Sequence, residues 1–267
     1  MRVNLGDIEE TLLIPLWGRA KLTQEYPSLL NDQKAVELIE QMDYDFSKLD
    51  KSLRFWNFLH AVRANQFDDK IRAYIAKHPR ASVIDLGAGL DTAFYRVDNG
   101  LIRWYDLDLP SVIQLRTGLL PQPERTMYIS HSLFDPAWFT EVENTENGVF
   151  FIAAGVLLYF EESRIRPFFT SLANTFPSGE IVFDSLSIFG KLTGNWSLRR
   201  AGMKGSTLKW ALKDARRITE WDGRIDVLDQ FPLFKNTPRD PVWGTSVRRY
   251  MNFVDRNRIR NICHLRV

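Results

Sequence analysis

Two short stretches hold the residue types from which a ligand site is built. The run Asp85-Leu86-Gly87-Ala88-Gly89-Leu90-Asp91-Thr92 closes a β-branched segment, Ala81 to Leu86. Two glycines one residue apart let a chain turn sharply and bring bare backbone against a ligand. A dinucleotide fingerprint needs a third glycine three residues after Gly89, where Thr92 stands, and no GxxxxGK[ST] phosphate loop occurs. The loop therefore favours a nucleoside-type ligand without a pyrophosphate over a nicotinamide dinucleotide. The second stretch, Trp104 to Pro110, puts Asp106 and Asp108 at 19 and 21 residues beyond Gly87. A carboxylate at the end of a second strand accepts hydrogen bonds from both ribose hydroxyls. The competing use of these acids is to cap a helix starting near Pro110.

The elements that must position these residues follow from periodicity. Residues 1–80 read as helical: Asn31-Asp32 caps a helix from Gln33 to Met42, and a second spans Lys51 to His78 until Pro79 ends it. The period then changes. Ala81–Leu86, Leu101–Leu107, Thr126–Ser130, Val149–Ala154 and Glu180–Asp184 are short apolar runs, as parallel strands buried on both faces require. Helix-compatible stretches separate them, the clearest being Glu161 to Phe176. A helix from Leu208 to Trp221 and two terminal strands, Ile225–Phe231 and Asn261–Val267, complete a seven-stranded α/β sheet. Ligands bind outside the carboxyl ends of such strands, where strand order reverses.

Composition excludes several classes. With 267 residues, 45% of them hydrophobic, the chain buries a large core without a disulfide or metal staple. A formal net charge of +2 is too small for a nucleic-acid binder. The arginines at 199–200, 216–217, 248–249, 256, 258 and 260 read as solvated faces. Cys263 is the single cysteine, and His60, His78, His131 and His264 show no metal-ligand spacing, so no metal is expected. The longest apolar run, Val149 to Phe160, is too short for a membrane span, and the first residues lack a signal-peptide core. The expectation is a cytoplasmic protein with no nucleic-acid or membrane partner; the oligomeric state is not legible.

The run VIDLGAGLDTAFYR, Val83 to Arg96, followed by YDLDLP, Tyr105 to Pro110, resembles the leucine carboxyl methyltransferase family. Within it the chain is most similar to the bacterial branch related to the tetracenomycin polyketide O-methyltransferase. Pro15 to Ala35, Val62 to Asp69 and His264 to Val267 fit the same branch. The resemblance implies a Rossmann-like class I methyltransferase fold using S-adenosyl-L-methionine. Its sheet is seven-stranded and mostly parallel, with helices on both faces. Residues 1–80 would form a helical cap and 81–267 the core, with a lid insertion at about 187–222. Residue by residue, it implies that Gly87, Ala88 and Gly89 face the cofactor's amino-acid end and ribose. Asp108, with Asp106 nearby, would take the ribose hydroxyls, and Arg63 would grip the methionine carboxylate. Lys21, beside Arg19, falls near a basic position of the family, and Ser132-Leu133 stand where an acidic–apolar pair brackets adenine. Where the family usually reads Ala-Glu-Gly or Ala-Glu-Cys, this chain has Ala153-Ala154-Gly155, so Ala154 replaces a glutamate.

The implied activity is O-methylation of a hydroxyl or carboxylate on a small, aromatic or polyketide-like acceptor. The alternatives are methylation of a protein C-terminal carboxylate and cofactor binding without catalysis. A hydroxyl acceptor needs a general base, whereas a carboxylate does not. Tyr159 and Asp184, leaving the fourth and fifth strands, and His131, leaving the third, are the candidates. Phe189, Trp196, Trp210, Trp221, Phe231, Phe234 and Trp243 either line an apolar acceptor pocket or form the core of a lid. Leu192 to Asn195 and Met203 to Ser206 read as mobile gating stretches.

Overall fold

Apolar side chains on both faces drive five short segments into parallel pairing: β1 (Ser82–Leu86), β2 (Arg103–Asp108), β3 (Thr126–Ser130), β4 (Val149–Ala153) and β5 (Glu180–Leu186). Every residue of β1 and β4 is buried, as the centre of such a sheet demands. The computed structural model describes residues 7–46, 54–200 and 206–267, with side chains from residue 11 onward. Two more strands, β6 (Asp226–Pro232) and β7 (Arg260–Arg266), give the order β3-β2-β1-β4-β5-β7-β6. β7 runs antiparallel to both neighbours. The chain leaves β1 towards β2 and returns to β4 on the other side, so the crevice opens between the exits of β1 and β4.

Among the described residues three helices precede the sheet: α1 (Asp7–Glu25), α2 (Gln33–Gln41) and α3 (Arg54–Ile75). Asp32 caps α2 by accepting from the Ala35 amide at 3.1 Å. The expected helix Lys51–His78 appears as α3, its first three expected residues lying outside the described ones. Then come α4 (Ala93–Val97), α5 (Pro110–Leu119), α6 (Glu162–Thr175), α7 (Ile188–Arg200), α8 (Arg216–Thr219) and α9 (Thr245–Arg256). Phe58, Val62 and Ile71 of α3 and Met251 of α9 cover one face of the sheet. Ile165, Phe169 and Leu172 of α6 cover the other. A third cluster caps the strands' carboxyl ends, joining Leu13, Leu16 and Leu38 to Leu90, Leu158, Leu186, Leu198 and Leu208. No described helix is long and apolar enough to cross a membrane.

The segment after β5 departs from expectation. Residues 206–215 are not helical; only Arg216–Thr219 is. Leu208, Trp210 and Leu212 are buried while Lys209 and Lys213 are exposed, a period of two that suits an extended chain. The Lys209 amide donates to the Leu158 carbonyl at 2.8 Å and the Leu212 amide to Leu186 at 2.8 Å. Leu192 to Asn195, expected as a mobile gate, lies inside α7, and residues 203–205 lie outside the described ones.

Candidate active site

The turn leaving β1 depends on its glycines. Gly87 and Gly89 have φ of +70° and +50°, in the left-handed region that side chains disfavour. A Cβ on Gly87 would stand 2.6 Å from Cγ2 of Val156, and one on Gly89 would stand 3.0 Å from Cδ2 of Leu12. The amides of Gly87 and Ala88 donate to the Leu107 carbonyl at 2.8 and 3.1 Å. Asp108 closes the turn from β2, one carboxylate oxygen accepting from the Gly89 amide at 2.8 Å and the other from Leu109 at 2.7 Å. Burial pushes its pKa up.

Behind the turn lies a saturated ionic network. Arg116 pairs with Asp106 at 2.8 Å and donates to the carbonyls of Gly89 and Asp91 at 3.1 and 2.8 Å. Arg19 of α1 donates to Asp32 at 2.9 Å and to the Leu90 carbonyl at 2.8 Å. Arg96 binds Asp32 at 2.7 Å and Asp68 at 2.7 and 2.9 Å, while the Thr92 hydroxyl also donates to Asp32. Burial disfavours the Asp32 carboxylate, yet Arg96 and Arg19 outweigh it and hold the pKa below the usual range. Asp85 is the exception. It is 2% exposed, and its Oδ2 has no hydrogen-bond partner. Burial, then the negative charges of Asp91 and Asp106, push its pKa well above the usual carboxylate range.

A cavity of about 480 Å³ opens over this turn. Its walls are Leu12, Ile14 and Pro15 of α1, Trp56, His60 and Arg63 of α3, the glycine turn with Asp85 and Asp108, the β4 exit from Ala154 to Phe160, Leu198 of α7, residues 206–209 and Arg260. At its far end Asp184 organises three groups. It accepts from the Gly155 amide at 2.5 Å, pairs with Arg63 at 3.3 Å, and lies 3.8 Å from Arg260. Arg260 is 9% exposed, makes no other ion pair among the described residues, and sits 5.8 Å over the Trp56 ring. Burial lowers its pKa. Neither ring nitrogen of His60 has a hydrogen-bond partner among the described residues, and burial together with Arg63 and Arg260 keeps the imidazole neutral. Tyr159 is likewise a neutral phenol, its pKa raised by burial.

The leucine carboxyl methyltransferase family model matches residues 13–173, more than half of the chain. The chain belongs to this family. The tetracenomycin polyketide synthesis O-methyltransferase TcmP of Streptomyces glaucescens is 29% identical over 226 residues, covering 81% of this chain and 79% of the relative. An S-adenosyl-L-methionine-dependent methyltransferase of Gibberella zeae, dpfgK, is 28% identical over 237 residues, with the same coverage of 81% and 79%. Among solved structures, a DUF574 family protein from Streptomyces avermitilis superposes with a TM-score of 0.61 at 16% identity, covering 86% of this chain and 94% of that one. The protein is therefore an S-adenosylmethionine-dependent methyltransferase with a mixed α/β fold. The residues fit that co-substrate: a side chain at either glycine would fill the cradle, and the cavity holds an orphaned acid oxygen, on Asp85, and a guanidinium, on Arg63.

Of the residues expected at the site, the methyltransferase brings Arg63, Gly87, Ala88, Gly89, Asp108, Ala154 and Tyr159 to the cavity wall. Others stand elsewhere. Asp106 does not line the cavity, because Arg116 and the Trp104 indole at 2.9 Å occupy its carboxylate. Asp184 lies behind the wall, one oxygen accepting from the Gly155 amide and the other paired with Arg63. Ser132 and Leu133 leave β3 away from the cavity; Ser132 caps the Phe134 amide at 3.3 Å and Leu133 is packed under Trp138. Lys21 pairs with Glu25 at 3.2 Å on the outer face of α1. His131 sits at the surface between Asp135 and Glu141, at 3.3 and 3.1 Å. None of the seven aromatics expected as pocket or lid residues lines the cavity. Trp210, Phe231, Phe234 and Trp243 are core, Trp221 packs against it, and Phe189 and Trp196 are exposed. Sequence reasoning missed Trp56, His60 and Arg260. The first two share a face of α3 with Arg63, at the i, i+4, i+7 spacing, which was a readable signal.

Proposed function

We propose that this methyltransferase acts on a small, planar, polyketide-like molecule, and that the oxygen it methylates belongs to a carboxylate. S-adenosylmethionine brings a methyl group already activated on a cationic sulfur. The chain's own residues then need to align the acceptor oxygen with that carbon and keep water out. Asp108 is positioned to accept from ribose hydroxyls, and Arg63 to bind the methionine carboxylate in a fork. Asp184 positions Arg63 and the Gly155 amide. The segment 187–222 serves as a cover, its Leu198 and residues 206–209 closing the cavity.

The observation that carries the acceptor's identity is Arg260. A buried guanidinium whose one carboxylate partner stands 3.8 Å off, and is shared with Arg63, leaves donors unmet at the cavity wall. An acceptor carboxylate would supply the missing acceptors. No base is then required, in keeping with a site where Tyr159 is a neutral phenol and Asp184 is occupied. The apolar wall of Leu12, Ile14, Pro15, Val156, Phe160 and Leu208 suits a flat carbon skeleton. The TcmP relative, named for tetracenomycin polyketide synthesis, supports the same choice. The unpartnered nitrogens of His60 favour a second reading, a hydroxyl acceptor handing its proton to the imidazole.

The test is a panel of aromatic carboxylic acids, the matching phenols, and peptides ending in a free carboxylate. We expect turnover of the acids, and a roughly tenfold or larger rise in KM for them in Arg260→Gln with S-adenosylmethionine affinity unchanged. Turnover confined to phenols, with indifference to Arg260→Gln, overturns the carboxylate reading; turnover of the peptides alone moves the protein to the other branch of the family.

A further inference from the structure

Helix α7, IFGKLTGNWSLRR, packs the wrong way round for a soluble helix. The residues it buries are Gly190, Gly194 and Leu198, one every four positions. The fit is close: a Cβ on Gly190 would lie 2.6 Å from the Ile259 carbonyl oxygen, and one on Gly194 would lie 2.6 Å from Leu208. The opposite face displays Ile188, Leu192 and Trp196, at 69%, 61% and 60% exposure. Amphipathic helices of globular proteins put such side chains inwards, and contiguous exposed apolar rows mark interaction surfaces.

Beside this row a groove of about 610 Å³ runs between α7 and α9, walled by Ile188, Phe189, Phe253 and Ile259. Phe189 and Phe253 are both about half exposed, with ring centres 6.5 Å apart. Cations predominate in its lining. α7 carries Lys191, Arg199 and Arg200 and no acid; the groove adds Lys213 and Arg217 and no acid. Arg217 reaches one carboxylate, Glu162, at 3.6 Å, and Arg200 lies 4.6 Å over the Trp196 ring. The whole chain has a net charge of only +2, so this face holds a local excess.

We propose that α7 and its groove form a docking face for an anionic lipid bilayer. A second copy of the chain is disfavoured, since a two-fold pairing would set these cations against themselves. A bilayer answers both features. The convex row of Ile188, Leu192 and Trp196 enters the headgroup boundary, long Lys and Arg side chains reach back to lipid phosphates, and the groove takes an acyl chain. The sequence argued against membrane contact from the lack of a span, a criterion to which a surface helix is invisible. The docked face is the outer side of the helix whose inner Leu198 lines the active cavity, so the amphipathic acceptor of the proposed function would pass from lipid to site over a short path.

The experiment is co-sedimentation of the full chain with vesicles of equimolar phosphatidylglycerol and phosphatidylcholine, against phosphatidylcholine alone. Binding to the anionic vesicles, roughly tenfold weaker on the neutral ones and reduced by salt, is expected. Leu192→Glu with Trp196→Glu should abolish it while S-adenosylmethionine affinity stays unchanged. Trp196→Phe, a milder change, should keep the binding and lose the quenching of tryptophan emission by brominated lipid. Failure to bind anionic vesicles, or binding untouched by the double substitution, overturns the proposal. So does a dimer in gel filtration that the double substitution dissolves, or competition for the face by polyglutamate without any vesicle binding.

Discussion

The two ends of the active cavity are built on opposite rules. Around the glycine turn nearly every buried charge is satisfied: Asp32 by Arg19, Arg96 and Thr92, and Asp106 by Arg116 and Trp104. At the far end the His60 ring nitrogens lack hydrogen-bond partners among the described residues, and Arg260 reaches only Asp184, at 3.8 Å, which it shares with Arg63. A saturated network specifies backbone shape; an unsatisfied group in a cavity is a place kept for a ligand. The contrast separates residues that shape the turn from residues that meet the reactants. It also explains why aspartates close in sequence differ in use: Asp106 belongs to the first set, Asp108 to both.

Substitutions can break the contrast. The largest effect is expected at Asp32→Ala, which takes the carboxylate from buried Arg19 and leaves Arg96 to Asp68 and Asp91. Loss of one partner of a buried pair costs about 3–5 kcal/mol, so the denaturation midpoint should fall sharply, with cofactor binding lost as the Leu90 end of the turn loosens. A smaller effect is expected at the turn's ligand face. Asp108→Ala should weaken S-adenosylmethionine by about 1–3 kcal/mol through lost hydrogen bonds to a buried acceptor, measured by calorimetry. Arg63→Ala should weaken the intact co-substrate but hardly affect adenosine, which has no carboxylate; equal losses for both would place Arg63 with the structural set. The smallest effect is a pH dependence. Burial works against the Asp91 carboxylate, but Arg19 and Arg96 lower its pKa from 3.8 to about 2. Its stabilisation is therefore complete above 3.8 and lost as pH falls towards about 2. The stability gap between wild type and Asp91→Asn should be constant in the neutral range and close through that window.

The parallel half of the sheet was legible because buried strands leave continuous apolar runs ended by Gly or Asp, as at Ile84 to Gly87 and Phe151 to Gly155. The glycine turn and Asp108 were legible with it as cavity-lining residues, since they follow directly on those strands. The lid was not. Leu208, Leu212, Ala215 and Ile218 satisfy a helical period, while Leu208, Trp210 and Leu212 satisfy a strand period equally well. Pairing with Leu158 and Leu186, both distant in sequence, decides for the extended chain. Arg260 was hidden for a related reason. It follows Arg256 and Arg258 in a run that reads as solvated, and only the insertion of β7 between β5 and β6 turns it inward beside Asp184. Asp184, a candidate base from sequence, stands against Arg63, Arg260 and the Gly155 amide, because a sequence does not reveal which carboxylates already have partners.

That insertion imposes an order of assembly. While the chain is being translated, β1, β2 and β4 are all outside the ribosome before Arg260 has been added, so the glycine turn with Asp108 can form on a nascent polypeptide. Until β7 arrives, β5 is a bare edge and β6 has no neighbour to hold it. A single late strand thus seals the sheet and brings Arg260 to the cavity wall together, so on the proposed reading an incomplete chain lacks the arginine that would meet the acceptor.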